Sequence, residues 1–93
     1  MAKSIMQHSK QCFICGSTQW LEEHHVFGGA NRKNSEKYGL KVWLCHLHHN
    51  EPPFGVHHNA ENMLKLKQAA QMKFELTHSR KEFMQLFGKN YLD

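Results

Sequence analysis

Two short ligand pairs, Cys12-Phe13-Ile14-Cys15 and Cys45-His46-Leu47-His48, limit most strongly what this chain can fold into. Each C-x2-C or C-x2-H turn presents two soft donors on one short loop, and two such turns complete the tetrahedron that zinc prefers. Cys12, Cys15, Cys45 and His48 therefore read as a closed Cys3His site, structural because no position is left for substrate or water. His46 is an alternative fourth ligand at poorer spacing. Such a site ties the start of the chain to the Cys45 turn.

A staple of this kind matters because a chain of 93 residues buries only roughly 60–65% of the surface its unfolded form exposes. Structural zinc contributes about 10–16 kcal/mol of apparent binding free energy near neutral pH, comparable with the whole stability of an ordinary domain, about 5–15 kcal/mol. The three cysteines are an odd number, and Met1 to Gln7 lacks the apolar core of a secretory signal. Metal binding in a cytoplasmic protein is thus favoured over a disulfide framework. No stretch has transmembrane length. Twelve Lys and Arg against eight acids give a formal charge of +4 and a pI of about 9.1, which suits a polyanionic partner such as nucleic acid without requiring one.

Along the chain, residues 1–11 are polar and aperiodic and read as a flexible leader. Residues 12–17 resemble a zinc knuckle, with Gly16 turning the backbone after the second thiol. Residues 20–27 are rich in aromatic, β-branched and histidine residues and stop at Gly28-Gly29, as a strand before a loop does. Residues 28–39 form a polar, basic connection whose Arg32, Lys33 and Lys37 are suited to meeting phosphates. Residues 40–44 alternate, Trp43 apart, as a second, antiparallel strand.

Pro52 and Pro53 end any helical turn that starts near Cys45. Asn59 is a fitting N-cap for a helix from Ala60 to about Leu76, with Met63, Leu66, Ala70 and Phe74 as its apolar stripe. Ser79 and Glu82 form a capping box for a shorter helix that buries Phe83, Leu86 and Phe87 and stops at Gly88. The expected fold is α+β: one domain over residues 12–93, comprising a metal module (12–58) and helical support (59–93).

Closing the zinc site leaves His24, His25, His49, His57 and His58 unused. Adjacent imidazoles suggest divided labour, one holding a divalent cation while its neutral neighbour takes a proton from water. Phosphodiester hydrolysis needs both. Neighbouring side chains on a strand point to opposite faces, so both rings reach one site only at a strand end or bulge.

Cys12-x2-Cys15, Glu23-His24-His25-Val26 and Cys45-x2-His48-His49 together resemble the zinc-bound branch of the HNH (His-Asn-His) endonucleases, whose active site is a ββα-metal fold. Residues 25–29, 49–53, 55–57 and the tail Phe87-Gly88-Lys89-Asn90-Tyr91 are also similar to small HNH proteins of bacteriophages. The resemblance implies His25 as general base and His24 and His49 as ligands of a catalytic cation such as Mg2+, Mn2+, Ni2+ or Zn2+. A third ligand usually lies farther along the helix; because Pro52 and Pro53 interrupt it, His57 is the substitute, with His58 the alternative. Leu40 stands about where the family's middle asparagine orients the base, leaving Asn31, Asn34, the Tyr38 hydroxyl or a backbone carbonyl for that task. DNA is the implied substrate, cut by nicking with low sequence specificity, and phage packaging or recombination proteins are the implied partners. The competing reading is a non-catalytic, zinc-stabilised DNA-binding or phage assembly protein.

Overall fold

A computed structural model describes residues 3–92. Two strands, β1 (Leu21–His25) and β2 (Lys41–Cys45), pair antiparallel from Leu21↔Cys45 to His25↔Lys41 without a bulge. Helix α1 (Arg32–Tyr38) connects them, and α2 (His46–His49) follows β2 directly. Single 3-10 turns at Gly29–Asn31 and Val56–His58 precede α1 and α3 (Ala60–Phe74), and α4 (Arg80–Phe87) ends the fold. The class is α+β, as expected, and no helix among the described residues is long and apolar enough to cross a membrane.

The basic connection is mostly helix rather than loop, which corrects the reading of residues 28–39. Its polar face gives no apolar periodicity to detect; tertiary ties hold it instead. The Ser35 hydroxyl accepts from the Phe27 amide at 3.0 Å and donates to the Phe27 carbonyl at 2.8 Å, fixing α1 to the end of β1. Gly39 then caps α1 at φ 71°, and a Cβ there would collide with the Lys3 carbonyl, so only glycine fits.

The leader is also corrected over its described part. Ser4 donates to the Lys41 carbonyl, the Ile5 amide to the Gly39 carbonyl, and the Gln7 side chain accepts from the Trp43 amide. With the Phe13 amide donating to the Trp43 carbonyl, the segment covers the outer edge of β2, and Met6 enters the core.

The core lies between the sheet and the C-terminal helices. Leu66, Ala70 and Phe74 of α3 are buried along the expected stripe, with Met63 half-buried beside them. Phe83 of α4 packs its ring 5.6 Å from Phe27 and 5.5 Å from Phe74, and Phe87 packs 4.5 Å from Phe27. The Asn59 cap, the Ser79–Glu82 capping box and the left-handed Gly88 all form as their residue types require. Buried Gln71 accepts from the Tyr91 amide and donates to Asn90, fastening the C-terminal tail to α3.

Candidate metal centre and cleft

The two ligand pairs converge. Cys12, Cys15, Cys45 and His48 place their donor atoms within 4.8 Å of one another, with Cys15 Sγ 3.7 Å from Cys45 Sγ and Cys45 Sγ 3.3 Å from His48 Nδ1. Zinc–sulfur bonds of about 2.3 Å in a tetrahedron give S···S edges of about 3.8 Å, so a cluster of these spacings could bind a metal ion such as zinc. Burial pushes the Cys12 thiol up, but amide hydrogen bonds from Cys45, Cys15 and Ile14 outweigh it and hold the thiol below its ordinary value. Burial and the neighbouring thiols push Cys45 up, a conflict that a cation relieves. His46 lies outside this cage: its ring bridges Glu22 at 3.2 Å and Glu51 at 2.8 Å, and the two carboxylates raise its pKa.

A second donor set forms on the other side of α2. His24, His49 and His57 offer ring nitrogens within 4.8 Å of one another, and their ring centroids lie 4.8–5.3 Å apart. His49 Nε2 is 3.1 Å from His57 Nε2. Nitrogens about 2.0–2.1 Å from a shared cation stand roughly 3–3.4 Å apart, so this pair fits one ion. Glu22 lies 2.7 Å from His49 Nδ1 and the other ring nitrogen, Nε2, faces the cluster, an arrangement like the carboxylate support that metal-bound histidines commonly have.

His24 is 5% exposed, and its Nε2 is the buried side-chain polar atom with no hydrogen-bond partner among the described residues. Burial, then the charges of His49, His57, His25 and Lys67, lower its pKa to about 3, so the ring is neutral near neutral pH. A neutral, buried, unpartnered nitrogen facing two other imidazoles could serve as a cation ligand. His57, not His58, completes the set; His58 is exposed and outside it.

His25 points to the opposite face of the strand from His24, as the pleat dictates, and faces a different partner. Its Nε2 is 3.1 Å from Glu36 Oε1, while Glu36 Oε2 accepts from Lys41 Nζ at 2.8 Å. Lys41, with a side chain only 6% exposed, also meets Glu23 at 3.6 Å. Lys41 first and His25 second lower the Glu36 pKa to about 2. Glu23, His25 and Glu36 also have metal-ligand spacing, but the Lys41 ammonium already stands as their cation.

The side chain bonded to the His25 ring is Glu36, which was not among the candidates drawn from the sequence. Asn34 donates instead to the Leu86 carbonyl, and Tyr38 packs on Phe74. Glu36 follows His25 by eleven residues across a turn and a helix, a separation with no spacing rule behind it.

Although they leave the strand on opposite faces, His24 and His25 line one cleft of about 320 Å³, because both sit where β1 ends. His49, His57, Arg32 and Lys67 line it too. Of the predicted phosphate-binding residues only Arg32 reaches this cleft; Lys33 and Lys37 are exposed elsewhere on α1. Lys67, on α3, was hidden from sequence reasoning because it lies on a helix read as support. The chain matches no protein-family model, no curated protein and no solved structure.

Proposed function

We propose that the protein is a divalent-cation-dependent endonuclease of the ββα-metal HNH type that hydrolyses DNA phosphodiester bonds, nicking one strand with low sequence specificity. One observation carries this reading: a three-imidazole set with an unpartnered buried nitrogen and a carboxylate-held imidazole open on one cleft flanked by Arg32 and Lys67. His24, His49 and His57 would hold the cation, and Cys12, Cys15, Cys45 and His48 a structural zinc. When bound, the catalytic cation supplies positive charge to the phosphate and to the departing oxygen.

The remaining work belongs to the chain. Arg32 and Lys67 bind the non-bridging phosphate oxygens, sequence-independent contacts that account for low specificity. Glu36 fixes the His25 ring through Nε2, so Nδ1 is the nitrogen left to accept the proton of the attacking water. As that water's oxygen bonds to phosphorus, the bond from phosphorus to the leaving sugar oxygen breaks, and the proton resides on His25. Glu36, kept ionised by Lys41, stabilises the resulting imidazolium.

Supercoiled plasmid incubated with Mg2+, Mn2+ or Ni2+ tests this. Nicking is expected from the wild type and a loss of roughly 10²- to 10⁴-fold in His25→Ala, with zinc content and fold unchanged. Equal nicking by that variant would refute the assignment of the base, and absence of any nicking by the wild type would favour a binding protein.

A further inference from the structure

A cavity larger than the cleft of the proposed metal centre adjoins it. It lies on the far side of Glu23, measures about 470 Å³, and is lined by Lys3, His8, Lys10, Lys41, Glu23 and Trp43 among others. Glu23 belongs to both cavities, so the two are neighbours along the sheet. The register fixes their relation. Glu23 pairs with Trp43 and His25 with Lys41, and directly opposed residues share a face, so Trp43 and His25 stand on the same side of the sheet. They are two residues apart in register, roughly 7 Å at the rise of a strand, about two base steps of a B-form strand.

We infer that this cavity takes an unpaired nucleotide of the DNA strand within about two base steps of the phosphate under attack, its base stacked on Trp43 and its phosphate held by Lys3 and Lys10. The inference rests on the nuclease reading for the neighbouring phosphate, and on the cavity itself for the nucleotide. Lys10 Nζ now lies 4.5 Å from the centre of the Trp43 ring. A base stacks on an aromatic ring more strongly than an exposed ammonium does, so it displaces Lys10 and frees that charge for its own phosphate. Lys41 does not compete for the phosphate, since Glu36 and Glu23 neutralise it. Glu23 repels a phosphate from its own wall of the cavity, which leaves the anion to the Lys3 and Lys10 ammonium groups that also line it.

Trp43 is half-buried, fixed by the hydrogen bonds of its amide to Gln7 and its carbonyl to the Phe13 amide. A ring so placed meets only a base that has left its stack, because a paired base has both faces covered by its neighbours. The substrate class is accordingly DNA with an unpaired stretch: single-stranded, frayed or branched.

The test uses the full chain with Trp20→Phe, which leaves Trp43 as the sole tryptophan, and a short oligothymidylate with no divalent cation added. Saturable quenching of Trp43 fluorescence is expected. Labelled oligothymidylate followed by anisotropy is expected to bind roughly tenfold or more weakly to Trp43→Leu and to Lys10→Glu; the second substitution is at an exposed residue and guards against misfolding of the first. Nicking is expected to be faster on a bubble than on the same sequence fully paired. Binding without quenching, or an unchanged Kd in Lys10→Glu, would overturn the subsite, as would equal rates on bubble and duplex. Quenching with no nicking of any DNA supports the subsite and instead removes the nuclease, so the two failures are separable.

Discussion

Replacing His24 by leucine is expected to make the protein more stable and inactive at once. In protein that carries its structural zinc but no second cation, His24 Nε2 is buried and without a partner. An unmade hydrogen bond of this kind costs about 1–3 kcal/mol, and removing the polar group in favour of an apolar one of similar size recovers part of it. Val42 lies directly across the sheet and Met63 lines the same cleft, so leucine meets apolar neighbours. A net gain of about 1–2 kcal/mol raises Tm by about 4–8 °C per kcal/mol in a domain of this size. Adding Ni2+ or Mn2+ at about 100 times its Kd stabilises the wild type by about 2.7 kcal/mol, which reverses the order, while His24→Leu gains nothing and does not nick plasmid. Thermal melts with and without cation measure both effects. A variant that melts below the cation-free wild type, or that responds to cation as the wild type does, would refute the view that His24 is held in reserve for a metal.

His57→Ala is expected to abolish both the cation-dependent rise in Tm and nicking, whereas His58→Ala keeps both, because His58 lies outside the imidazole set; parallel melts and plasmid assays distinguish them. Glu36→Gln is expected to slow nicking roughly 10- to 100-fold, the usual loss when a group that orients a functional imidazole is changed. The same variant has a signature in acid: the folded Glu36 pKa of about 2 lies below its ordinary 4.5, so its stabilisation is present above pH 4.5 and lost as pH falls towards 2. Melts of the wild type against pH therefore contain a step that the variant lacks. Cys45→Ser is expected to lose zinc and unfold at room temperature, since about 10–16 kcal/mol of metal binding exceeds what a core of this size holds in reserve; metal analysis and circular dichroism report it.

Much of this is legible in the residues because the relevant constraints are local. The ligand pairs, the Asn59 cap, the Ser79–Glu82 box, Gly88 and the α3 stripe each rest on contacts within one turn or on a fixed spacing. What was not legible depends on tertiary ties. Helix α1 exists because Ser35 and Gly39 bind it to Phe27 and the N-terminal segment, not because its own side chains favour an apolar face. Residues 4–7 look like a leader until the open edge of β2 gives their polar groups partners. Lys41, read only as the polar half of an alternating strand, is buried because two carboxylates meet it there.

The pleat of β1 divides the chemistry of the cleft. Glu22 and His24 face α2, one holding His49 and the other offering a bare nitrogen. Glu23 and His25 face the other way, towards Lys41 and Glu36. Four consecutive residues thus divide between the three-imidazole side and the Glu36 side, and a regular strand separates them with no bulge to do so. Their rings meet in one cleft only because the strand stops at His25 and the chain turns away through Gly28. The separation has an electrostatic consequence. Burial keeps His24 neutral on the side of the three-imidazole set, whereas the His25 side is anchored by an ionised carboxylate beside a buried ammonium. On the proposed reading, a divalent ion at His24, His49 and His57 would offer its charge to a phosphate, and Glu36 would balance a proton taken up by His25.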